Sequence, residues 1–260
     1  MTDLTQPTRA LSLTRHHSGV TRRTDDLVAV EEPLEIRLDG HPVAVLMRTP
    51  GHDRELVSGF LITESILKSL SQVRKIESRT DENRSLVFLV DDASVDLARL
   101  TRHLFSSSSC GLCGKATLEA VFSYSPPILQ PIHLGDSKLL EAPAKLRAAQ
   151  NTFDTTGGLH GVGLFSQDGE LLVCREDIGR HNAVDKVIGY ALLENLDLSN
   201  TFLLVSGRVS FEIMQKTLAA RIPLVAAISA PSSLAVDFAK ASGQSLIGFL
   251  RPPSFNRYAG

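Results

Sequence analysis

The chain contains no tryptophan, and neither sign of charge dominates it: 27 basic residues against 29 acidic ones leave a net charge of −2. That balance removes bulk electrostatic attraction to nucleic acid. No apolar run approaches the roughly 20 residues a membrane helix requires. Runs such as Ile222 to Ala230 are about the longest, and this one reads as a buried strand. Three cysteines, an odd number, do not make a disulfide framework and fit a reducing cytoplasm. Residues 1–24 are rich in Ser, Thr and Arg and lack the apolar core of a signal peptide. A disordered tail is expected there, on a cytoplasmic protein that touches neither membrane nor nucleic acid. Internal repeats, a Walker motif and a GxGxxG fingerprint are all missing, which argues against a conventional nucleotide site.

A hydrophobic content of 43% with 22% charged residues suits one large domain or two modest ones. Over 27–48, short β-rich runs at 28–30, 34–38 and 43–47 alternate around Pro33, Asp39-Gly40 and Pro42, with Asp39-Gly40 as a hairpin signal. Leu56, Val57, Phe60 and Leu61 carry helical spacing over 53–67. A strand at 86–90 and a helix at 96–104 follow. Four prolines between 124 and 143 mark a connecting segment, with a helix expected over 139–153. The pattern then becomes regular. Strands at 161–165, 171–174, 202–205, 224–228 and 246–249 alternate with helices at 180–193, 209–220 and 233–241. Such alternation, with apolar β-branched strands, predicts an α/β fold: a parallel or mixed sheet covered by helices on both faces. Residues 25–125 read as a small β-rich N-terminal subdomain, and residues 126–260 as a three-layer α/β/α sandwich.

The segment with the most chemistry is Cys110-Gly111-Leu112-Cys113-Gly114, directly after four serines, Ser106 to Ser109. Serine and glycine predict an exposed loop. The residues after it, 115–122, read as a helix, so the pair would sit at a helix N-terminus, where the macrodipole and Lys115 favour thiolate. Zinc needs four ligands and the pair supplies two. His133, His160, His181 or Cys174 could complete a set, but none belongs to a second short ligand pair. A thioredoxin-type site would follow a strand directly, without a serine loop. A sulfur carrier would hold a persulfide on one thiolate, and must keep the second thiol from discharging it. Spacing alone leaves the redox and carrier readings level.

Three loops at strand C-terminal ends collect charge and glycine, where open α/β sheets place ligands. They are Arg175-Glu176-Asp177-Ile178-Gly179-Arg180-His181-Asn182, Ser206-Gly207-Arg208 and Ser229-Ala230-Pro231-Ser232-Ser233. Each taken singly is explained by helix capping. Together at one edge they point to an anionic, nucleotide-like ligand, with Arg208 as a fork donor. His160, inside Thr156-Gly157-Gly158-Leu159-His160-Gly161, is flanked by glycines that let a ligand approach. A hydrogen-bonded histidine at a strand start explains it equally well.

These stretches together resemble the FdhD family, the accessory sulfurtransferases of formate dehydrogenase. The likeness is carried by Glu31-Glu32-Pro33-Leu34, Arg48-Thr49-Pro50-Gly51, Glu55 to Leu61, the Cys110–Gly114 motif, Gly157-Gly158-Leu159-His160, Arg175 to Lys186 and Ser206-Gly207-Arg208. The resemblance implies a protein that accepts persulfide sulfur from a cysteine desulfurase. It passes that sulfur to the molybdenum cofactor, bis-molybdopterin guanine dinucleotide, before insertion into the formate dehydrogenase catalytic subunit. Cys110 matches the family's persulfide cysteine, with Cys113 as its neighbour. The family's cofactor-binding segment falls on Phe249, Leu250, Arg251, Pro252, Pro253 and Ser254. Ser206, Gly207, Arg208, His160 and His181 are the further ligand candidates, and a GDP-like nucleotide is the expected fragment ligand. The family fold is similar to that of cytidine deaminases. This chain lacks the His-x-Glu and Pro-Cys-x-x-Cys zinc pattern, so neither deamination nor a bound metal is expected. A homodimer is the expected assembly, though no residue pattern fixes it. The competing readings are a non-catalytic cofactor chaperone and a dithiol oxidoreductase.

Overall fold

The computed structural model describes residues 6–91, 93, 121, 122, 124–130, 132 and 134–260. Cys110, Cys113 and their serine loop lie outside the described residues, as do His133, the expected helix over 96–104 and most of that over 115–122.

The first described element departs from the expected tail. β1 (Thr8–His17) and β2 (Val20–Ala29) pair antiparallel as a two-stranded ribbon. Ser18 and Gly19 both take positive φ between them, as a two-residue primed turn demands. Composition concealed this ribbon because polar residues outnumber its apolar ones and most of its side chains are exposed; the Ser-Gly turn signal and the β-branched residues Val20, Thr21 and Thr24 were the available clues.

β3 (Glu32–Leu38), β4 (His41–Arg48), β5 (Val73–Arg79) and β6 (Arg84–Leu89) form a four-stranded sheet in the order β4-β3-β6-β5. Asp39-Gly40 turns β3 into β4, as the sequence predicts. β5 was not expected: apart from Val73 and Ile76 it is charged or polar, which an edge strand tolerates. Helix α1 (Asp53–Thr63) covers one face, packing Leu56, Val57, Phe60 and Leu61 against Leu34, Ile36, Val43 and Val87.

The second sheet has six strands in the order β12-β11-β10-β9-β7-β8. β7 (His160–Ser166), β8 (Leu171–Asp177), β9 (Thr201–Val205), β10 (Leu224–Ala227) and β11 (Ser245–Arg251) match the expected strands. β12 (Ser254–Ala259) is an addition. The chain reverses at Pro252-Pro253, joined by a cis bond, and returns antiparallel to β11 instead of ending there. The sheet is mixed: β9, β10 and β11 are parallel, and β7 runs antiparallel to both β8 and β9.

Alternation along these strands builds two cores. Phe202, Leu204, Leu224, Ala226 and Ile247 face Leu139, Ala142 and Leu146 of α2 (Asp136–Ala148). Leu203, Val205, Val225, Ala227 and Leu246 face the opposite layer. That layer consists of α4 (Arg180–Leu193), α5 (Phe211–Ala219) and α6 (Ser233–Ser242). The three-layer α/β/α sandwich is therefore present. The single helix expected over 139–153 is instead α2 followed by the short α3 (Asn151–Thr156). Among the described residues no helix is long and apolar enough to cross a membrane.

Candidate functional site: a cleft at the parallel strand ends

Because β9, β10 and β11 are parallel, their C-terminal ends reach one edge of the sheet, and antiparallel β7 starts there. The four segments at that edge are bonded to one another. Ser206 N–H donates to Gly161 O at 2.9 Å, and Gly161 N–H donates to Ser206 Oγ at 3.0 Å. Phe249 N–H donates to Ser229 O at 3.1 Å, and Arg251 Nε to Ile228 O at 3.0 Å. Over this edge, the end of α2 and the start of α3 close a cavity of about 630 Å³.

The cavity wall is apolar at Leu146, Leu159, Ile228 and Leu250, and Phe153 adds a ring. Its polar side chains include His160, Ser206, Gln150, Arg147 and Arg251. Gly158 and Gly207 present bare backbone, and a Cβ on Gly207 would come within 3.2 Å of His160 Nδ1. Burial, reinforced by the Arg180 charge, holds His160 below the ordinary histidine range, so at neutral pH its ring is an uncharged donor–acceptor. The Arg147 guanidinium lies 5.0 Å from the Phe153 ring centre and pairs with Asp154. An apolar slot with cations at its margin suits a flat heterocycle joined to an anionic group.

The predicted residues divide between this cavity and other places. His160, Ser206, Gly207, Leu250, Arg251 and Pro252 line it together. Pro253 and Ser254 form the turn into β12, and Phe249 is exposed with a φ of 52°. Arg208 is exposed, outside the lining, and makes no hydrogen bond or ion pair to a described residue. His181 belongs to the other layer: its Nε2 lies 3.4 Å from Ser210 Oγ. Burial first, then Lys216 and Arg180, push His181 down to about 4. Sequence reasoning missed Leu146, Arg147, Gln150 and Phe153, whose only signal was helical apolar spacing.

The segment from Arg175 to Asn182, read as a ligand loop, and the helix it leads into mostly join the two halves of the molecule. Asp177 is fully buried; its Oδ2 pairs with Lys186 Nζ at 2.7 Å and accepts from Thr49 N–H at 3.1 Å. Lys186 Nζ also donates to Thr49 O at 2.8 Å, and Asn182 Nδ2 donates to Met47 O at 2.7 Å. Arg175 forks onto Glu55 at 2.6 and 2.8 Å. Asp185 accepts from Lys216 Nζ at 2.8 Å and from Thr63 Oγ1 at 2.7 Å. Burial works against the Lys216 charge, but Asp185 and Glu64 more than offset it and keep the ammonium protonated. Of the expected ligand loop, Arg180 remains uncommitted, its buried Nε lacking a hydrogen-bond partner among the described residues.

Cys174, the one cysteine among the described residues, is pushed up to about 12 by burial and by Glu176, so it stays a thiol. No group of three His, Cys, Asp or Glu side chains among the described residues is arranged to hold a metal ion.

Comparison with known proteins agrees with this architecture. The FdhD/NarQ family model matches residues 29–260. A protein of Streptomyces avermitilis called sulfur carrier protein FdhD is 50% identical over 254 residues, covering 93% of this chain and 90% of the relative. Its namesake from Mycolicibacterium paratuberculosis is 48% identical and covers 97% of both chains. The crystal structure of a putative formate dehydrogenase accessory protein from Desulfotalea psychrophila superposes with a TM-score of 0.80. It is 25% identical, over 98% of each chain. The chain belongs to the FdhD/NarQ family.

Proposed function

We propose that this FdhD/NarQ protein is a sulfur carrier for formate dehydrogenase maturation. It accepts sulfane sulfur from a cysteine desulfurase on Cys110 and hands it to the molybdenum cofactor, bis-molybdopterin guanine dinucleotide, bound as substrate. The name of its relatives and the description of the Desulfotalea neighbour support the role. The observation that carries the chemistry is the cleft: an apolar slot with an uncharged histidine, two arginines and bare glycine backbone at the parallel strand ends. Its volume of about 630 Å³ suits one nucleotide-sized end of such a cofactor.

The exchange balances as two displacements. The Cys110 thiolate attacks the outer sulfur of the donor persulfide, the donor S–S bond breaks, and the donor leaves as a thiolate. Release as sulfide requires two electrons. Once the cofactor is bound, and not before, the Cys113 thiolate supplies them by attacking Cys110 Sγ: the persulfide S–S bond breaks, its outer sulfur leaves as sulfide to the cofactor, and a Cys110–Cys113 disulfide closes, which two equivalents of a cellular thiol reopen. Intact-mass analysis after incubation with desulfurase and cysteine tests the proposal: a gain of about 32 Da on Cys110 marks the carrier. A loss of two hydrogens without that gain would identify a dithiol oxidoreductase. No change in mass, with cofactor bound, would leave a chaperone.

A further inference from the structure

The β1–β2 ribbon is built unlike the rest of the molecule. Its root packs on α3, and Ala29 lies beside Gly158, which lines the cleft. From there ten residues per strand extend, a length of roughly 30 Å. Two-stranded ribbons are marginal in water without a packed face, and nearly every side chain of the outer half is exposed.

Register makes the tip more costly still. Arg15 stands directly opposite Arg22, and Arg23 opposite Thr14, with His16 and His17 next to the turn. Like charges opposite each other destabilise a strand pair. The two carboxylates of the ribbon are already engaged: Asp25 accepts from Ser12, and Asp26 pairs with Arg15. Arg9, Arg22 and Arg23 have no ion pair among the described residues. Leu11, Val20 and Leu27 are exposed beside them.

We propose that this ribbon is a docking arm for an acidic protein surface, that of the formate dehydrogenase catalytic subunit receiving the cofactor. The identity of the partner rests on the sulfur-carrier reading. Arginine mixed with exposed apolar side chains is the composition of a protein interface. Exposed Leu11, Val20 and Leu27 among the arginines suit an acidic protein surface better than the uniformly charged phosphate backbone of a nucleic acid. Rooting the arm at the cleft tethers a partner held at its tip within roughly 30 Å of the cavity.

The test uses the full chain and purified apo-formate dehydrogenase catalytic subunit from the same organism, with affinity measured at low and moderate salt. Arg15→Glu/Arg22→Glu/Arg23→Glu is expected to weaken association tenfold or more, and wild-type affinity to fall with salt. Arg22→Ser/Arg23→Ser serves as a milder variant, with circular dichroism as the check on folding. Unchanged affinity in both variants overturns the arm. So does a variant that keeps the subunit but loses a DNA or RNA oligonucleotide probe, or one whose only change is dissociation of a dimer. Persulfide loading of Cys110, measured in parallel, is expected to be unchanged. If neither wild type nor variant loads sulfur, the carrier reading fails while the affinity comparison still decides the arm.

Discussion

Gly59 of α1 lies against the backbone carbonyl of Asp185 in α4, and reciprocally Gly189 of α4 lies against that of Glu55 in α1. Two helices, one from each half of the chain, thus cross at backbone distance. The approach brings Thr63 to Asp185 and Arg175 to Glu55. The sandwich and the smaller sheet are joined through this crossing and the Asp177–Lys186 pair beside it.

Gly189→Ala puts a methyl group into the α1 backbone, which no side-chain rotamer relieves. Overpacking of this kind costs about 1–3 kcal/mol or more. Thermal unfolding should show a Tm fall of about 2–12 °C, from a dependence of roughly 2–4 °C per kcal/mol at this size. An unchanged Tm would mean that the helices do not cross this closely.

Lys186→Met leaves the Asp177 carboxylate buried without its cation, a loss of about 3–5 kcal/mol. Urea unfolding should reveal it as a lowered midpoint, and as separate transitions if the two halves lose their coupling. The double variant Lys186→Met/Asp177→Leu should recover part of the loss, because both charges are then absent.

Acid should weaken the protein through His181. Its folded value of about 4 lies below the ordinary 6.5, so the unfolded chain takes up a proton that the fold refuses. Its contribution is complete above pH 6.5 and declines as pH falls from there towards 4, by about 1.4 kcal/mol per unit. Between pH 7 and pH 5 the wild type should therefore lose about 2 kcal/mol more than His181→Asn. Equal losses in urea titrations at the two pH values would exclude this origin. Glu55 acts lower: burial opposes its charge, but Arg175 and then His52 hold it at about 2, so its contribution fades only as pH falls from 4.5 towards 2.

Cys110→Ala should accept no sulfur from the desulfurase and mature no formate dehydrogenase, with Tm unchanged. Cys113→Ala should load normally and retain the extra mass longer, since the thiol that releases sulfide is gone. Cys174→Ala should behave as wild type in loading, because burial keeps that thiol protonated. Mass spectra over a loading time course separate the three.

For the cleft, Arg251→Ala should weaken GDP binding by tenfold or more, the effect of losing one charge-assisted hydrogen bond worth about 1.5–3 kcal/mol. Arg208→Ala, outside the lining, should cost less. Calorimetry that ranks Arg208 above Arg251 would move the anion out of the cavity and onto the exposed loop.

By itself the sequence determined the alternation of strands and helices after residue 160, because apolar period and turn residues are local properties. It also placed the Asp39-Gly40 turn and singled out His160 and Ser206-Gly207, since each begins or follows a recognisable strand, whereas Leu250-Arg251 entered the candidate set only through the resemblance to the FdhD family. Only tertiary structure decided what the charged motifs do. Nothing local distinguishes an aspartate that meets a ligand from Asp177, whose partners Lys186 and Thr49 lie on different elements, Thr49 in the other half of the chain. The same limit hid Leu146, Arg147 and Phe153, ordinary helix residues until the end of α2 and the start of α3 are laid across the strand ends. The β1–β2 ribbon escaped for the opposite reason. It buries so little that no hydrophobic period marks it, and cross-strand pairing alone makes it a structure.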